Sequence, residues 1–473
     1  MIITASNNLF HRGAATMRLF LGMLALLASF ACSAQWGSFL KPFAADSLWN
    51  SRPVAPVLGD FQIPTSEYSP SVAEGPYSTA AFLAKTSDAP MTVSGLPGTT
   101  GVWDPDAEVR RTVTIPHWPA DVIPATGSDG HADIIDPVAG VVHSLFKLKN
   151  IDGQWRAAQY AWAPLNGSGW GTPAHYFQGA RAAAVPSTAG IMRKHEINDG
   201  DSMYRHALAM SLTFNALATN PTYVFPATSA DTNAATTNSG RIPEGALLML
   251  PASFDTARIT NADLRKVAET LKVYGAYIVD RNYGTPFVIY VENGSGFSLH
   301  KGGWSTVVAG ELDEIRKALR QVVSATGWVD ATGHAFTPPR NLNLLSMRGA
   351  WTLREGTNPG VFDTLKQAVV FAANPSRVVQ TNWSGRAVNL VSWATPQRGR
   401  SYRLTAEATG GAMLRVQIIE KATNKFVYDS GDLGNAGSVT FSWPTDDYTV
   451  VTTASSVAGV SGSVGGTLVA IGE

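Results

Sequence analysis

The segment that decides the fold spans residues 127–148, which read GSDGHADIIDPVAGVVHSLFKL. Two runs rich in apolar residues, 131–136 and 141–148, flank a Pro-Val-Ala-Gly sequence with a strong turn preference. An apolar run, a turn and a second apolar run together predict a β-hairpin. With a loop of four residues, the register of the hairpin places His143 opposite Ile134.

Polar residues open the first strand of this hairpin. Asp129 lies in a glycine-flanked turn just before the strand, and His131 and Asp133 share one of its faces. An aspartate two residues from a histidine can orient the imidazole and hold its tautomer, as catalytic histidines require. We therefore expect Asp129, His131 and Asp133 to be catalytic. In the structural alternative, Asp129 caps the turn and His131 closes a hydrogen-bond network.

A second segment has the same arrangement. Residues 201–210 read DSMYRHALAM, in which a polar cluster opens onto an apolar strand. A tyrosine and a histidine side by side can serve as acid and base, and a nearby arginine can neutralise a carboxylate. Tyr204, Arg205 and His206 are therefore expected catalytic residues. In the alternative, His206 is a partly buried histidine that a neighbouring carbonyl satisfies.

A long loop between the two segments, residues 169–181, reads GWGTPAHYFQGAR. Loops of this kind in compact domains are often functional. The flat faces of Trp170 and Tyr176 are suited to stacking on sugar rings, and His175 and Arg181 add polar groups. We expect these four residues to bind substrate. Packing against a strand edge is the alternative for the two aromatic side chains.

The composition favours a β-rich, turn-rich protein. The chain has 473 residues, of which 44 are glycine and 27 are proline. Charged residues make up 15% of it, whereas about 25% is typical of globular domains. A formal net charge of zero offers nucleic acid or an anionic membrane no electrostatic attraction. The expected partner is a polysaccharide substrate.

The first 34 residues predict a secretory signal peptide. Arg18 precedes the apolar run 19–30, which is followed by small residues and is shorter than the ~20 residues of a membrane helix. Cleavage after Ala34 would remove Cys32, the only cysteine, and with it any disulfide or thiolate site. We expect an extracellular or periplasmic protein without a membrane span. A lipid anchor on Cys32 is the less favoured alternative, because the preceding residues fit a lipoprotein cleavage site poorly.

The element pattern predicts a chain that is mainly β with a few helices. Residues 35–375 are expected to form a β-rich, catalytic-type body, similar to a sandwich or a barrel. Residues 376–473 contain short strand-sized segments between turns but no histidine, which predicts a β-sandwich accessory domain. Apolar residues at helical spacing predict one helix that stops at Gly275 and a second that ends near Gly327.

Metal chemistry has little support in the sequence. His131, Asp133, His143 and His206 are suitable ligands, but no HExxH-like spacing groups them. The hairpin register also separates His131 from His143. No G-x-S-x-G nucleophile elbow and no phosphate-binding glycine loop occurs. No metal and no other cofactor is required by this sequence.

Three short motifs resemble a widespread group of secreted bacterial proteins for which no activity is settled. They are Ser128-Asp129-Gly130-His131, Arg205-His206-Ala207-Leu208, and the helix end Tyr274-Gly275 before a strand that ends in Asp280. The resemblance spans about residues 120–290 and does not reach the C-terminal module, which looks like a carbohydrate-binding β-sandwich. It implies functional roles for Asp129, His131 and His206 and names no reaction.

These features predict a secreted polysaccharide-degrading enzyme, and a lyase is one possible mechanism. In a lyase, His131 or His206 would remove the proton next to a uronate carboxylate, and Tyr204 would protonate the leaving oxygen. Arg205 or Arg181 would then neutralise the carboxylate. The histidine, tyrosine and arginine side chains of the candidate site favour this mechanism over hydrolysis.

Two other functions remain open at this point. In a glycoside hydrolase, two of Asp129, Asp133 and Glu196 would act as acid and as base or nucleophile. In the alternative from another class, the protein is a non-enzymatic glycan-binding or cell-surface protein whose histidines are structural. A distance between the strands that carry His131 and His206 would separate a shared site from two unrelated histidines.

Overall fold

The computed structural model describes residues 35–339, 342–382, 387–388 and 391–472. The expected signal peptide at 1–34, including Cys32, lies outside these ranges. The described chain is mainly β, with only three α-helices among many strands, and this confirms the fold class expected from the sequence. No helix in these ranges combines the length and the apolar character needed to span a bilayer.

The hairpin of residues 127–148 forms with the predicted register. Ala132–Asp136 pairs antiparallel with Val141–Phe146, and His143 lies opposite Ile134. Ala132–Asp136 is buried along its whole length, so the sheet is covered on both faces at this point. The hairpin belongs to a six-stranded sheet whose strands are, in spatial order, Ala81–Leu83, Ala132–Asp136, Val141–Phe146, Gln159–Pro164, Val102–Asp104 and Val109–Arg111.

Two smaller sheets pack beside the six-stranded sheet. Val93 and Ile115 of the four-stranded sheet share a hydrophobic cluster with Ile134 and Leu145 of the six-stranded sheet, which makes this half of the body sandwich-like. The strands of the four-stranded sheet are, in spatial order, Lys149–Ile151, Gln154–Ala157, Met91–Gly95 and Val113–Ile115. Those of the three-stranded sheet are Arg52–Val54, Gly327–Val329 and Ala335–Phe336.

The other half of the body is built on a mixed seven-stranded sheet. Leu208–Thr213 runs parallel to Ala276–Asn282 and antiparallel to Phe287–Tyr290, and Phe287–Tyr290 runs parallel to Ser71–Ala73. The strands that carry the two histidine motifs therefore belong to different sheets. In spatial order the seven strands are Val57–Leu58, Arg320–Ser324, Leu247–Met249, Ala276–Asn282, Leu208–Thr213, Phe287–Tyr290 and Ser71–Ala73.

Helices pack on this sheet and support it. Ala262–Val273 ends as predicted, because Gly275 adopts the left-handed conformation with φ of +74°. The second helix, Thr306–Ala318, is shorter than expected. The apolar spacing that suggested an end near Gly327 continues into the strand Arg320–Ser324, whose side chains are half-buried or exposed. A short helix and a 3-10 turn complete the set, at Ala234–Thr237 and Thr256–Arg258.

The C-terminal domain is a β-sandwich of two five-stranded sheets. The expected boundary at residue 376 lies inside it, because three earlier strands belong to these sheets. The turns around residues 338–360 are rich in proline and glycine, so this stretch looks like a loop in sequence. In spatial order the first sheet has Thr352–Glu355, Val379–Asn382, Tyr448–Ser455, Met413–Glu420 and Lys425–Asp429; the second has Val361–Asp363, Ala368–Phe371, Gly462–Ala470, Ser401–Thr409 and Ser438–Ser442.

Arg348 joins the sandwich to the body. Its guanidinium donates hydrogen bonds to the carbonyl oxygens of Pro105 at 2.6 Å and Asp106 at 3.0 Å. Gln367 of the sandwich adds a hydrogen bond of 2.7 Å from its Nε2 to a carboxyl oxygen of Asp106. Because Arg348 is buried and charged, these partners are needed to offset its desolvation. The junction is therefore specific rather than a loose contact between domains.

Candidate functional site

A cleft of about 540 Å³ lies over the seven-stranded sheet. Four neighbouring strands provide its floor, and one row of cross-strand neighbours there is Ser71, Val288, Ser211 and Asp280. The walls come from the chain after Ser71–Ala73 and from the loop before the hairpin. Its volume falls within the roughly 300–1,000 Å³ of ligand pockets. The cleft therefore lies where the two halves of the body meet, and Asp280 is an acidic side chain on its floor.

Two glycines place Asp129 at the wall of this cleft. Gly127 donates its N–H to the carbonyl oxygen of Pro76 at 2.9 Å, and a Cβ on Gly127 would lie 2.4 Å from that oxygen. Gly130 adopts φ of +45°, which turns the chain back toward the strand. Asp129 between them is half-buried and lines the cleft. The glycines of the first motif therefore serve to present this carboxylate.

Arg181 holds Asp280 from behind. Its Nη1 donates to Oδ2 of Asp280 at 3.2 Å and to the carbonyl oxygen of Tyr77 at 2.9 Å. Its guanidinium carbon lies 4.0 Å from the centre of the Tyr290 ring. The side chain of Arg181 is 1% exposed, whereas that of Asp280 is 16% exposed. Asp280 is thus the partner that faces the cleft, and Arg181 orients it.

The surroundings of Asp280 favour its neutral form. Burial raises the pKa of this carboxyl to about 7, and the charges of Asp231 and Asp129 act in the same direction against that of Arg181. A carboxyl with a pKa near neutrality can hold a proton and release it during a reaction, which suits a general acid. Asp129 lines the same cleft and its charge contributes to this shift; we call Asp129 and Asp280 the acidic pair.

Two further carboxyls stand behind this pair. Glu244 is fully buried and accepts a hydrogen bond from the N–H of Asp231 at 3.2 Å. Burial, followed by the charges of Asp231 and Asp280, raises the pKa of Glu244 well above its ordinary value and so favours its neutral form. Asp231 lies 3.7 Å from Arg281, whose Nη2 donates to Asn233 at 2.8 Å. The pair thus rests on a largely buried acidic layer.

Exposed tyrosines surround the cleft. Among all tyrosines of the described chain, only Tyr68, Tyr77 and Tyr283 are exposed, by 59%, 51% and 73%. Tyr77 and Tyr283 line the cleft. Tyr68 lies beside Tyr283, because its N–H donates to the carbonyl oxygen of Gly284 at 2.7 Å. Large aromatic faces left open to water around a polar cleft are typical of binding surfaces.

His131 and Asp133 lie in the interior. His131 is 1% exposed, and its Nδ1 lies 3.1 Å from the hydroxyl of Ser187. Burial, with a smaller effect from Arg181, lowers the pKa of His131 well below its ordinary value, so the imidazole is neutral. Asp133 accepts hydrogen bonds from Thr188, at 2.7 Å from its N–H and 2.9 Å from its hydroxyl. Both residues form hydrogen bonds with the segment 187–188, and neither lines the cleft.

His206 forms an ion pair away from the cleft. Its Nε2 lies 3.1 Å from Oε2 of Glu196, and its Nδ1 lies 2.8 Å from the carbonyl oxygen of Ala207. Because both ring nitrogens face acceptors, the imidazole is doubly protonated. Burial alone would raise the pKa of Glu196, but the charge and hydrogen bond of His206 outweigh it and lower that pKa to about 2. The adjoining cavity of about 70 Å³ is small and is covered by the N-terminal segment that contains Trp36.

The neighbours of His206 also differ from the expected catalytic set. Tyr204 is 1% exposed, and burial strongly raises the pKa of its hydroxyl. The Nζ of Lys266 lies 4.7 Å from the centre of the Tyr204 ring. Arg205 points to solvent, with 61% of its side chain exposed, and pairs with Asp201 at 3.3 Å. The rings of Tyr204 and His206 lie 6.3 Å apart, and Arg205 lines the same small cavity as His206, but Tyr204 is buried and Arg205 is exposed.

All four residues expected to bind substrate are buried. Trp170 is 2% exposed and stacks on Trp49 with ring centres 4.6 Å apart. Tyr176 lies beneath the guanidinium of Arg348, 4.2 Å from its ring centre, in the junction with the sandwich. His175 is buried against Trp162. Their apolar faces pack in the interior, which leaves no surface for a sugar ring, and only Arg181 reaches the cleft through Asp280.

Sequence reasoning missed Asp280, Arg281, Glu244 and Tyr283 as site residues. Asp280 had a usable signal, because it follows the apolar run of Ala276–Asn282 just as the polar clusters of the two motifs adjoin apolar strands. The other three residues carry no pattern that distinguishes them from ordinary surface or core residues. Across residues 35–339 and the described parts beyond them, no three or more histidine, cysteine, aspartate or glutamate side chains are arranged to hold a metal ion.

Comparisons with known proteins give only partial likenesses. No family model and no curated protein matches the chain. Among solved structures, it is similar to the Glycosylation Associate Protein (Gap123) complex from Streptococcus agalactiae, with 16% identity, a TM-score of 0.18, and coverage of 26% of this chain and 45% of that chain. It is also similar to the enzymatically active domain of tailspike protein 4 of Bacteriophage CBA120, with 15% identity, a TM-score of 0.17, and coverage of 26% and 19%. A structure described as CBM4 has 14% identity, a TM-score of 0.14, and coverage of 22% of this chain and 69% of that chain. At such low TM-scores these likenesses do not bear on the activity of the protein.

Proposed function

We propose that this protein is a secreted glycoside hydrolase that cleaves an extracellular polysaccharide in the cleft between Asp129 and Asp280. The observation that carries the proposal is the presence of two carboxyls from different parts of the fold in one cleft. Arg181 orients one of them, and two glycines present the other. Hydrolysis of glycosidic bonds uses such a pair of carboxyl groups.

The two carboxyls take different roles because their environments differ. Asp280, whose pKa is raised to about 7, donates its proton to the glycosidic oxygen as the bond to the anomeric carbon breaks. Asp129 acts on the opposite side of that carbon, either by removing a proton from the attacking water or by forming a covalent intermediate that water then hydrolyses. In both routes one water is consumed, its hydroxyl ends on the anomeric carbon, and Asp280 is reprotonated.

The surroundings of the cleft support a sugar as the substrate. Tyr77 and Tyr283 offer exposed ring faces, on which the apolar faces of pyranose rings can stack. The residues proposed for a lyase are less favourably placed, because His131 and Tyr204 are each 1% exposed and lie outside the cleft lining. Hydrolysis is therefore better supported than elimination.

A panel of neutral and acidic polysaccharides tests the proposal with the full-length mature protein. Release of reducing ends should occur without the ultraviolet absorbance of an unsaturated product. Asp280→Asn should lower kcat by about 1,000-fold, and Asp129→Asn by 100-fold or more, in line with the contribution of positioned acids and bases. Asp121→Asn, an exposed aspartate elsewhere on the body, is the matched control and should keep full activity.

Three results would contradict the proposal in different ways. Full activity of Asp280→Asn would remove the cleft as the site. An unsaturated product that appears with the reducing ends would establish elimination at a uronate. Binding to a polysaccharide without any cleavage of the panel would favour the non-enzymatic glycan-binding function.

Secretion is tested separately. The N-terminal sequence of the exported protein should begin at Gln35.

A further inference from the structure

The two tyrosines of the cleft follow strands whose carboxyl ends lie at opposite ends of the seven-stranded sheet. Tyr283 directly follows the strand Ala276–Asn282, and Tyr77 comes four residues after the strand Ser71–Ala73. Ala276–Asn282 runs parallel to its neighbour Leu208–Thr213. The next strand, Phe287–Tyr290, runs in the opposite direction, and Ser71–Ala73 is parallel to it. The strands that precede Tyr77 and Tyr283 are therefore antiparallel to each other, so their carboxyl ends point in opposite directions.

Asp280 adjoins both tyrosines of the cleft. Asp280 lies near the carboxyl end of its strand and pairs with Ser211 of the next strand. Ser211 in turn pairs with Val288 on the cleft floor. On the other side, Arg181 bonds both Asp280 and the carbonyl oxygen of Tyr77, so the Tyr77 end of the cleft adjoins the acid. Tyr283 follows Asp280 by three residues, and Tyr77 is linked to it through Arg181, so a ligand that contacts both tyrosines lies close to Asp280.

Each tyrosine is held in place by its own neighbours. Arg281 lies 5.7 Å beneath the centre of the Tyr283 ring. Tyr68 packs on the adjacent Gly284, where a Cβ would come within 2.9 Å of the Tyr68 ring. At the other end, Pro76 accepts a hydrogen bond from Gly127, which fixes the segment before Tyr77. The two ring faces are exposed at fixed positions rather than carried on unsupported loops.

We infer that the cleft binds a polysaccharide chain along the strand direction, with sugar units stacked on Tyr77 and on Tyr283, and cleaves the chain internally between them. This inference rests on the proposed function and adds the form of the substrate: a polymer with sugar units on both sides of the broken bond. A cleft that recognised a chain end would need a stacking residue on one side of the acid only.

The mode of cleavage gives the first test, on a polysaccharide that the wild-type protein hydrolyses. Gel filtration of early products should show a steep fall in average chain length while few reducing ends have formed. Tyr77→Ala and Tyr283→Ala should each raise KM for the polymer by about tenfold and leave kcat within about twofold, since a lost stacking contact of about 1.4 kcal/mol corresponds to a tenfold change. Trp304→Ala, which removes an exposed aromatic side chain of the body outside the cleft lining, is the matched control and should leave KM unchanged.

Conservative variants separate stacking from misfolding. Tyr77→Phe and Tyr283→Phe keep the ring and remove the hydroxyl, so they should restore a wild-type KM. Release of units from chain ends only, or an unchanged KM for the polymer in both alanine variants, would overturn the inference while inactivation by Asp280→Asn still supports hydrolysis in the cleft. Retained activity of Asp280→Asn would overturn the proposed function itself, and this inference with it.

Discussion

The acidic cleft and the His206–Glu196 pair are both groups of titratable side chains, but they are satisfied to different degrees. Both nitrogens of His206 have protein acceptors at 3.1 Å or less, and the adjoining cavity is about 70 Å³. In the cleft, Asp280 is open to a space of about 540 Å³. Groups that already have all their partners stabilise the fold, whereas a titratable group that faces an open cleft is available to a ligand.

The first motif shows the same contrast within three residues. Asp129 is half-buried and lines the cleft, whereas His131 is 1% exposed and contacts Ser187. Gly130 separates them by a left-handed turn, which directs the two side chains to different environments. The motif therefore combines one residue for the cleft with one residue for the core.

The largest expected effect separates the two regions by activity. Asp280→Asn should lower kcat/KM by about 1,000-fold, or about 4 kcal/mol, because the proton donor is lost. His206→Ala, measured at a temperature at which it is folded, should change kcat/KM by less than about threefold. Steady-state kinetics of the two variants against one polysaccharide measures both values. A comparable loss in both variants would show that the His206–Glu196 pair belongs to the reaction.

The two variants should rank in the opposite order when their stability is measured, with His206→Ala the more destabilising change. His206→Ala should lower the free energy of unfolding by about 3 kcal/mol, because Glu196 would keep a charge that is mostly buried and unpaired. At pH 6, Asp280→Asn should have little effect, because the wild-type carboxyl is then mostly neutral and asparagine retains an acceptor for Arg181. Denaturant unfolding of both variants provides the measurement, and equal losses would contradict the contrast.

The stability lost in His206→Ala should depend on pH in a defined window. The pKa of Glu196 is lowered to about 2 in the folded protein, from an ordinary value of 4.5. Its carboxylate therefore stabilises the fold fully above pH 4.5, and this stabilisation is lost as the pH falls toward about 2. The pKa of His206 is raised in the folded protein, because the effect of Glu196 outweighs that of burial. Its imidazolium therefore stabilises the fold fully below pH 6.5, and this stabilisation is lost as the pH rises through the pKa of the folded state. The difference from wild type should therefore be largest between pH 4.5 and 6.5. A difference that grows steadily above that window would refute the pairing.

The next effect is the alkaline limb of the activity profile. A general acid must be protonated, and the pKa of Asp280 is raised to about 7 by burial and by the neighbouring acidic charges. The value of kcat/KM should therefore fall about tenfold per pH unit above pH 7. In Asp231→Asn one of these charges is removed, so the midpoint of the limb should shift to lower pH. An unshifted midpoint would mean that another group limits the reaction.

Much of the fold could be predicted because its signals are local. The hairpin register follows from the four residues between its strands, and the stop at Gly275 follows from its left-handed conformation. The domain boundary was misplaced because strands such as Val361–Asp363 are only three residues long, and this one directly follows a turn that contains Pro359. Short strands become ordered only through their partners, which are far away in sequence.

The site was less predictable, since burial decides the role of a side chain. Trp170 and Tyr77 are both aromatic residues in loops, yet Trp170 is 2% exposed and Tyr77 is 51% exposed. The difference arises from Trp49, which is more than a hundred residues away from Trp170 and stacks on it. Asp280 could have been singled out by its place on an apolar strand, but its raised pKa depends on Arg181, Asp129 and Asp231 together.

The smallest effect concerns Arg205, which the second motif places beside His206. Its side chain is 61% exposed and its partner Asp201 is 48% exposed, and such pairs contribute only about 0–1 kcal/mol in water. Arg205→Ala should therefore change the free energy of unfolding by less than about 0.5 kcal/mol and leave kcat/KM unchanged. Arg193→Ala is the informative control, because Arg193 is buried and its Nε donates to Glu292 at 3.0 Å, so its loss should cost about 3 kcal/mol or more. A clear loss of activity in Arg205→Ala would mean that the substrate extends to this surface, beyond the cleft.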